Sequence, residues 1–299
     1  MLKRVFIFFA VSMLVSVSIS LLMSMLGIGH YIAEGGIQYG SLIAFCLLWG
    51  IGGSLITLLI SKPLAKWSMG VQIIEGNGPH YQLVNSVHRL ARSAGLTVMP
   101  EVGIYESEDI NAFATGRSRN SSLVAVSSGL LNRMNDEERE GVLAHEVAHI
   151  ANGDMVTMAL VQGVINAFVM FLSRVAAFAI SQALRSDDDE SPQSPWVNTL
   201  ITIGLDILFG FLAMPIVAWF SRYREYRADA GAASLAGKEK MISALEALKR
   251  AYPQLEESTA ASNQNFQSMQ ISSKSSFWKL ISTHPPLDER IAALRNLQR

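Results

Sequence analysis

Two histidines four residues apart, with a glutamate directly after the first, carry the most specific chemistry in this sequence: His145-Glu146-Val147-Ala148-His149. On a helix four residues make slightly more than one turn, so both imidazoles leave the same face and can hold one zinc ion between them. Glu146 lies one residue, about 100°, around that surface. From there it can take a proton from an attacking water and pass it to a leaving amine. Ala144 and Ala148 are small and leave room for a metal. The plainer reading, two ordinary histidines on a surface helix, is disfavoured by that setting.

Hydrolytic zinc takes three protein ligands and keeps one position open. Two residues are candidates for the third, Glu225 and His284. Glu225-Tyr226-Arg227-Ala228-Asp229 places two carboxylates at i and i+4 on one helix face. That spacing suits one carboxylate on the metal and another holding a ligand histidine through its far ring nitrogen. It would equally suit a surface helix laced with Arg222, Arg224 and Arg227. Known ligand sets favour Glu225, with His284 left open.

The elements that must position these groups are legible in outline. Asn135 followed by Glu138 signals a helix start, and the helix should run to about Ala151 or Asn152 with Gly153 beyond it. Residues 80–95 have helical spacing, with Leu83, Val84, Val87, Leu90 and Ala91 on one stripe and Gly95 as a stop. Residues 101–105 and 123–127 read as strands and 111–116 as a third, with turn residues over 116–120. Lys238–Ala251 is a further amphipathic helix, and a last one follows Pro285 and Pro286 towards Leu297. The stretch 258–276, rich in Ser, Gln and Asn, reads as a loop.

The chain has 299 residues, 50% hydrophobic and 16% charged, whereas soluble domains carry about a quarter charged residues. Four long apolar runs account for the difference. Residues 5–26 hold no charge and are long enough to span a bilayer. The run is too long for a signal peptide and lacks a small-residue cleavage site, so a retained anchor is expected. Ser12, Ser16, Ser20 and Ser24 give it a small-residue face. The second run, 42–60, contains Gly50, Gly52 and Gly53 and ends at Lys62, Pro63 and Lys66. The third and fourth, 155–180 and 196–220, are more polar, with Gln162, Asn166, Arg174 and Asp206. They could be buried helices of a soluble core, but their length beside two clean spans favours a membrane. Arg174 falls near the far interface, where it should snorkel. Asp206 falls near mid-bilayer, where it should face the bundle and bond a polar group of the third span.

Lys3, Arg4, Lys62 and Lys66 flank the first two runs, and Arg222, Arg224 and Arg227 follow the fourth. The connection between runs three and four carries Asp187, Asp188, Asp189 and Glu190. The positive-inside rule then places both termini and residues 62–154 in the cytoplasm. A net charge of −1 gives no field for recruiting nucleic acid. The single cysteine, Cys46, excludes a disulfide framework.

Taken together, His145-Glu146-Val147-Ala148-His149, the segment from Glu225 to Asp229, Thr283-His284-Pro285-Pro286 and Asn111-Ala112-Phe113-Ala114-Thr115-Gly116 resemble the M48 family of membrane zinc peptidases. Within it they look most like the bacterial HtpX heat-shock proteases, relatives of the Ste24 prenyl-protein proteases. The resemblance spans almost the whole chain. It implies one zinc per chain on His145, His149 and Glu225, with Glu146 as base and Asp229 behind a ligand. It further implies that Asn111, with Ala112 and Phe113, lies beside the substrate backbone, and that His284 lines the site and helps stabilise the oxyanion. Removal of damaged or misfolded membrane proteins at the bacterial inner membrane is the role it implies.

The expected architecture is a mainly α integral membrane protein with four transmembrane helices and a zincin-like α+β catalytic domain, its small sheet beside the metal helix. Two membrane helices occupy 1–62, the first catalytic part 63–154, two further membrane helices 155–220 and the second catalytic part 221–299. Unfolded or membrane proteins and the bilayer itself are the expected partners; oligomeric state is not legible. One rival is a processing protease of the prenyl-protein type with a narrow substrate. Another is a metal-stabilised stress sensor that cuts nothing, for which an intact Glu146 would be unnecessary.

Overall fold

The computed structural model describes residues 32–33, 36–183, 195–251 and 284–297. The expected first span at 5–26, the acidic connection at 187–190 and the polar stretch at 258–276 lie outside them. In chain order the described elements are β1 (Ile32–Ala33), β2 (Gly36–Ile37), α1 (Tyr39–Met69), β3 (Gln72–Ile73), α2 (Tyr81–Ser93), β4 (Glu101–Tyr105), β5 (Ala112–Ser118) and β6 (Ser121–Ser127). There follow α3 (Ser128–Arg133), α4 (Asp136–Asn152), α5 (Asp154–Ala183), α6 (Pro195–Ala236), α7 (Lys238–Ala251) and α8 (Leu287–Asn296). They divide into two compact units. One takes the chain up to Leu58 and Met158–Val217; the other takes Leu59–Thr157 and Ala218–Arg299.

Among the described residues, three helices are long and apolar enough to cross a membrane: Tyr39–Met69, Asp154–Ala183 and Trp196–Ala236, with mean hydropathies of 2.2, 2.0 and 2.2. Leu47, Leu59, Val164, Phe168, Leu200, Ile207, Leu212 and Trp219 point outward from them. So much exposed apolar surface suits lipid and not water. In the first unit α1 and α5 meet backbone to backbone. A Cβ added to Gly50 would stand 2.5 Å from Ala167 N and 2.7 Å from Gly163 O, so α1 and α5 touch where small residues face each other. Leu42, Cys46 and Ala167 are buried beside that contact.

The helix that holds the second run outlasts the run itself, because α1 continues past Lys62 and through Pro63 to Met69. Proline removes a single intrahelical bond, while Lys62 and Lys66 on the last turns both pair with Glu101 at 2.8 and 2.5 Å. Against expectation, Arg174 does not snorkel. It lies over the Phe45 ring at 5.2 Å, donates to Met170 O at 3.0 Å and forms an ion pair with Asp206 at 3.5 Å. Asp206 therefore turns toward a polar group of the third span, as expected for an acid at that depth, but through an ion pair and without the expected hydrogen bond to its Oδ1. That group is Arg174, because Gln162 donates to Asn166 instead.

The sheet of the second unit has the order β3-β4-β6-β5, with β4 and β6 parallel and the other pairs antiparallel. β6 is its buried middle, with Leu123, Val124, Ala125 and Val126 fully enclosed. β5 reaches Ser118 with a bulge after Gly116, so the turn is shorter than the sequence suggests. Leu143, Ala144, Val147 and Ile150 of α4 enter one core with Val87 and Leu90 of α2, Val124 and Val126 of β6, Leu245 of α7 and Leu294 of α8. The ends of α4 are fixed locally. Asn135 and Glu138 form a reciprocal capping box, and Gly153 takes φ 71°, the left-handed stop. In this unit two elements escape sequence reading, β3, only two residues long, and α3, a six-residue helix capped by Ser127, as do the two-residue strands β1 and β2 outside it.

Candidate active site

Helix α4 turns its apolar side into the core, and that orientation brings His145 and His149 out along one edge. Both are buried, at 8% and 9% exposure, and their rings meet edge to face with centroids 4.6 Å apart. The Nε2 atoms stand 3.1 Å from each other. Glu225, carried by α6, completes a triangle, with Oε2 3.6 Å from His145 Nε2 and Oε1 3.4 Å from His149 Nε2. Among the described residues, these three side chains form the one group of His, Cys, Asp or Glu arranged to hold a metal ion. Ligand atoms placed tetrahedrally at about 2.0–2.1 Å from zinc lie about 3.3 Å apart. The two imidazole nitrogens are near that separation, each has one of the two Glu225 oxygens at a similar distance, and one ligand atom from each residue lies within 4.8 Å of the others, so the donor set fits.

Each imidazole is held from behind. His145 Nδ1 lies 2.9 Å from Asp229 Oδ1, one turn after Glu225 on α6. His149 Nδ1–H donates to Asp154 Oδ2 at 2.7 Å. Arg290 of α8, only 6% exposed, grips Asp229 with two nitrogens at 2.6 and 2.8 Å and reaches Glu225 at 3.5 Å. Neither Asp154 nor Arg290 was singled out from sequence. Asp154 follows His149 by five residues across a helix stop, and Arg290 is 61 residues from Asp229, so no helical spacing announces either.

The electrostatics follow from this enclosure. Burial works against a charged His149, but its hydrogen bonds to Asp154 and Glu225 prevail and lift its pKa to about 9. His145 is raised too, burial again being outweighed by Asp229 and Glu225. Burial would raise the Glu225 pKa, yet bonds from His145, His149 and His284 hold it far below the carboxylate range. Protons on the imidazoles and a divalent cation are thus alternative counter-charges for the same carboxylates.

The remaining expected residues lie around this centre. Glu146 is partly exposed on α4 between the two histidines. His284 is 69% exposed in its side chain, with Nδ1 3.1 Å from Glu225 Oε2, so it meets the carboxylate from the solvent side. Asn111 immediately precedes β5, and its backbone is pinned by Ser127, whose Oγ accepts from Asn111 N–H at 3.0 Å. Ala112 and Phe113 open β5, which pairs with β6 on one side and ends the sheet on the other. Phe113 packs on Tyr105, ring centroids 5.7 Å apart. That leaves its backbone, rather than its ring, at the sheet edge.

A buried His-His-Glu triangle on a helical scaffold with membrane-crossing helices defines a membrane-bound metallopeptidase. The sequence model of Peptidase family M48 matches residues 79–298, and the chain belongs to that family. It is an HtpX-type protease within it. A "Protease HtpX homolog" of Paracidovorax citrulli is 49% identical over 99% of this chain and 100% of the relative. A "Protease HtpX homolog" of Acidovorax ebreus is 50% identical over 99% of each, and a "Protease HtpX" of Tolumonas auensis is 48% identical over 99% of this chain and all of the relative. The fold matches the crystal structure of S. mikatae Ste24p with a TM-score of 0.61 at 19% identity, over 98% of this chain and 66% of that one.

Proposed function

We propose that one zinc ion per chain is held by Nε2 of His145 and His149 and by the carboxylate of Glu225, and that this centre hydrolyses peptide bonds. The observation that carries the reading is the convergence of the two Nε2 atoms, 3.1 Å apart, on the Glu225 carboxylate, whose oxygens stand 3.4 and 3.6 Å from them. When bound, zinc supplies a nucleophile at neutral pH and polarises the scissile carbonyl. Glu146 takes the proton of the attacking water and delivers it to the leaving amine. Asp229, itself clamped by Arg290, holds His145 in the tautomer that presents Nε2. His284, on the exposed side of Glu225, donates to the oxygen on which charge develops.

An extended substrate would bind by adding to the edge of β5 that no described strand occupies, at Asn111, Ala112 and Phe113, through main-chain hydrogen bonds. Recognition through backbone suits a protease that must accept many unfolded or membrane-protein substrates. The catalytic unit would face the cytoplasm at the bacterial inner membrane, and removal of damaged or misfolded membrane proteins would be its task. Replacing Glu146 tests the mechanism. Glu146→Gln should retain zinc at the wild-type ratio while turnover falls by about 10²–10⁴-fold. Near-wild-type turnover in that variant would overturn the assignment.

A further inference from the structure

We infer that Asp154 is a positioning residue of the metal centre, fixing His149 and supplying part of the negative charge that a divalent cation must meet there. The inference rests on reading the His-His-Glu triangle as a metal site. Asp154 is buried to 2% exposure, and the ion pair it makes among the described residues is with His149, at 2.7 Å. An ionised carboxylate so enclosed needs a fixed partner. The arrangement mirrors the one at His145, whose Nδ1 faces Asp229 at 2.9 Å. Each imidazole therefore has its Nδ1 committed to a carboxylate, which forces both Nε2 atoms toward Glu225.

Charge balance gives an independent argument. Asp154, Glu225, Asp229 and Arg290 are all buried around the two imidazoles. With neutral histidines, these three buried carboxylates and one guanidinium leave two negative charges, and the partly exposed Glu146 adds a third at the edge, so a divalent cation meets a net negative centre to which Asp154 contributes one charge. Its location adds a mechanical consequence. Asp154 is the first residue of α5, a helix long and apolar enough to cross the bilayer. Glu225 and Asp229 likewise sit on α6, which continues from an apolar, membrane-length segment. The carboxylates that hold and orient the metal thus arrive on helices with membrane-crossing character.

The bland alternative is that Asp154 merely favours the start of α5, as acids do in a first helical turn. Full-length protein purified in detergent separates the two, using Asp154→Asn, Asp154→Ala and Asp154→Glu. Zinc affinity is measured by chelator competition, and cobalt replaces zinc to report ligand geometry by its visible absorption. Asp154→Asn, which can still accept from Nδ1–H but carries no charge, should bind zinc about tenfold more weakly. Asp154→Ala should lose about a hundredfold, at the upper end for such supporting groups, with an altered cobalt spectrum. Asp154→Glu should recover part of the affinity. Unchanged affinity and spectrum in Ala and Asn variants, with only thermal stability lowered, would overturn the inference and leave the helix-start role. If the wild-type chain itself binds no zinc or cobalt, the metal reading fails first, and Asp154 with it.

Discussion

Glu225 and His284 touch each other at 3.1 Å, one 3% exposed and buried between imidazoles, the other open to solvent. Their burial suggests different losses. Glu225→Ala should release the metal under a chelator that leaves wild type loaded, because a donor is lost from the enclosed face. His284→Ala should keep its metal and cleave poorly. Metal content after chelator challenge decides, and the reverse order would make His284 the third ligand. The paired histidines were legible because their chemistry is written in adjacent residues at a helical interval. Glu225 and Asp229 were legible as a pair for the same reason, but not their attachment to His145, which depends on how α6 and α4 pack. Asp154 was hidden because a left-handed glycine, Gly153, stands between it and His149 and breaks the helical count.

At the scale of elements, the glycines of α1 divide by what faces them. A Cβ on Gly50 would collide with the backbone of α5 at Ala167 and Gly163, whereas one on Gly52 would meet nothing within 4 Å. Gly50→Ala should therefore lower thermal stability in detergent by about 1–3 kcal/mol, the range for overpacking, and Gly52→Ala should not. Equal melting temperatures for the two variants would contradict the close contact of α1 with α5. The sequence marked both glycines without distinguishing them, since only the partner helix tells them apart. Helices α2, α4 and α7 were readable from periodicity and end signals. The continuation of α1 past Pro63 was not, because what sustains it is a pair of lysines reaching Glu101 across the fold. Arg174 was misplaced for a similar reason: depth along a helix does not say that Phe45 and Asp206 await it.

At the scale of the whole molecule, the positive residues at the helix ends imply a sidedness. A cysteine placed at 187–190 should react with a membrane-impermeant reagent added outside the cell, while cysteines at 66 or 250 should react only after permeabilisation. Reaction of all three positions from one side would mean that α5 and α6 do not cross. The central claim concerns chemistry rather than topology, and it is that peptide-bond cleavage depends on the metal held by His145, His149 and Glu225. Full-length protein should be stripped of metal, divided, and assayed on an unfolded membrane-protein substrate with and without stoichiometric zinc. Cleavage absent from the stripped sample, restored by about one zinc per chain and not restored in Glu225→Ala is the expected result. Cleavage that persists at full rate in metal-free protein would contradict the account.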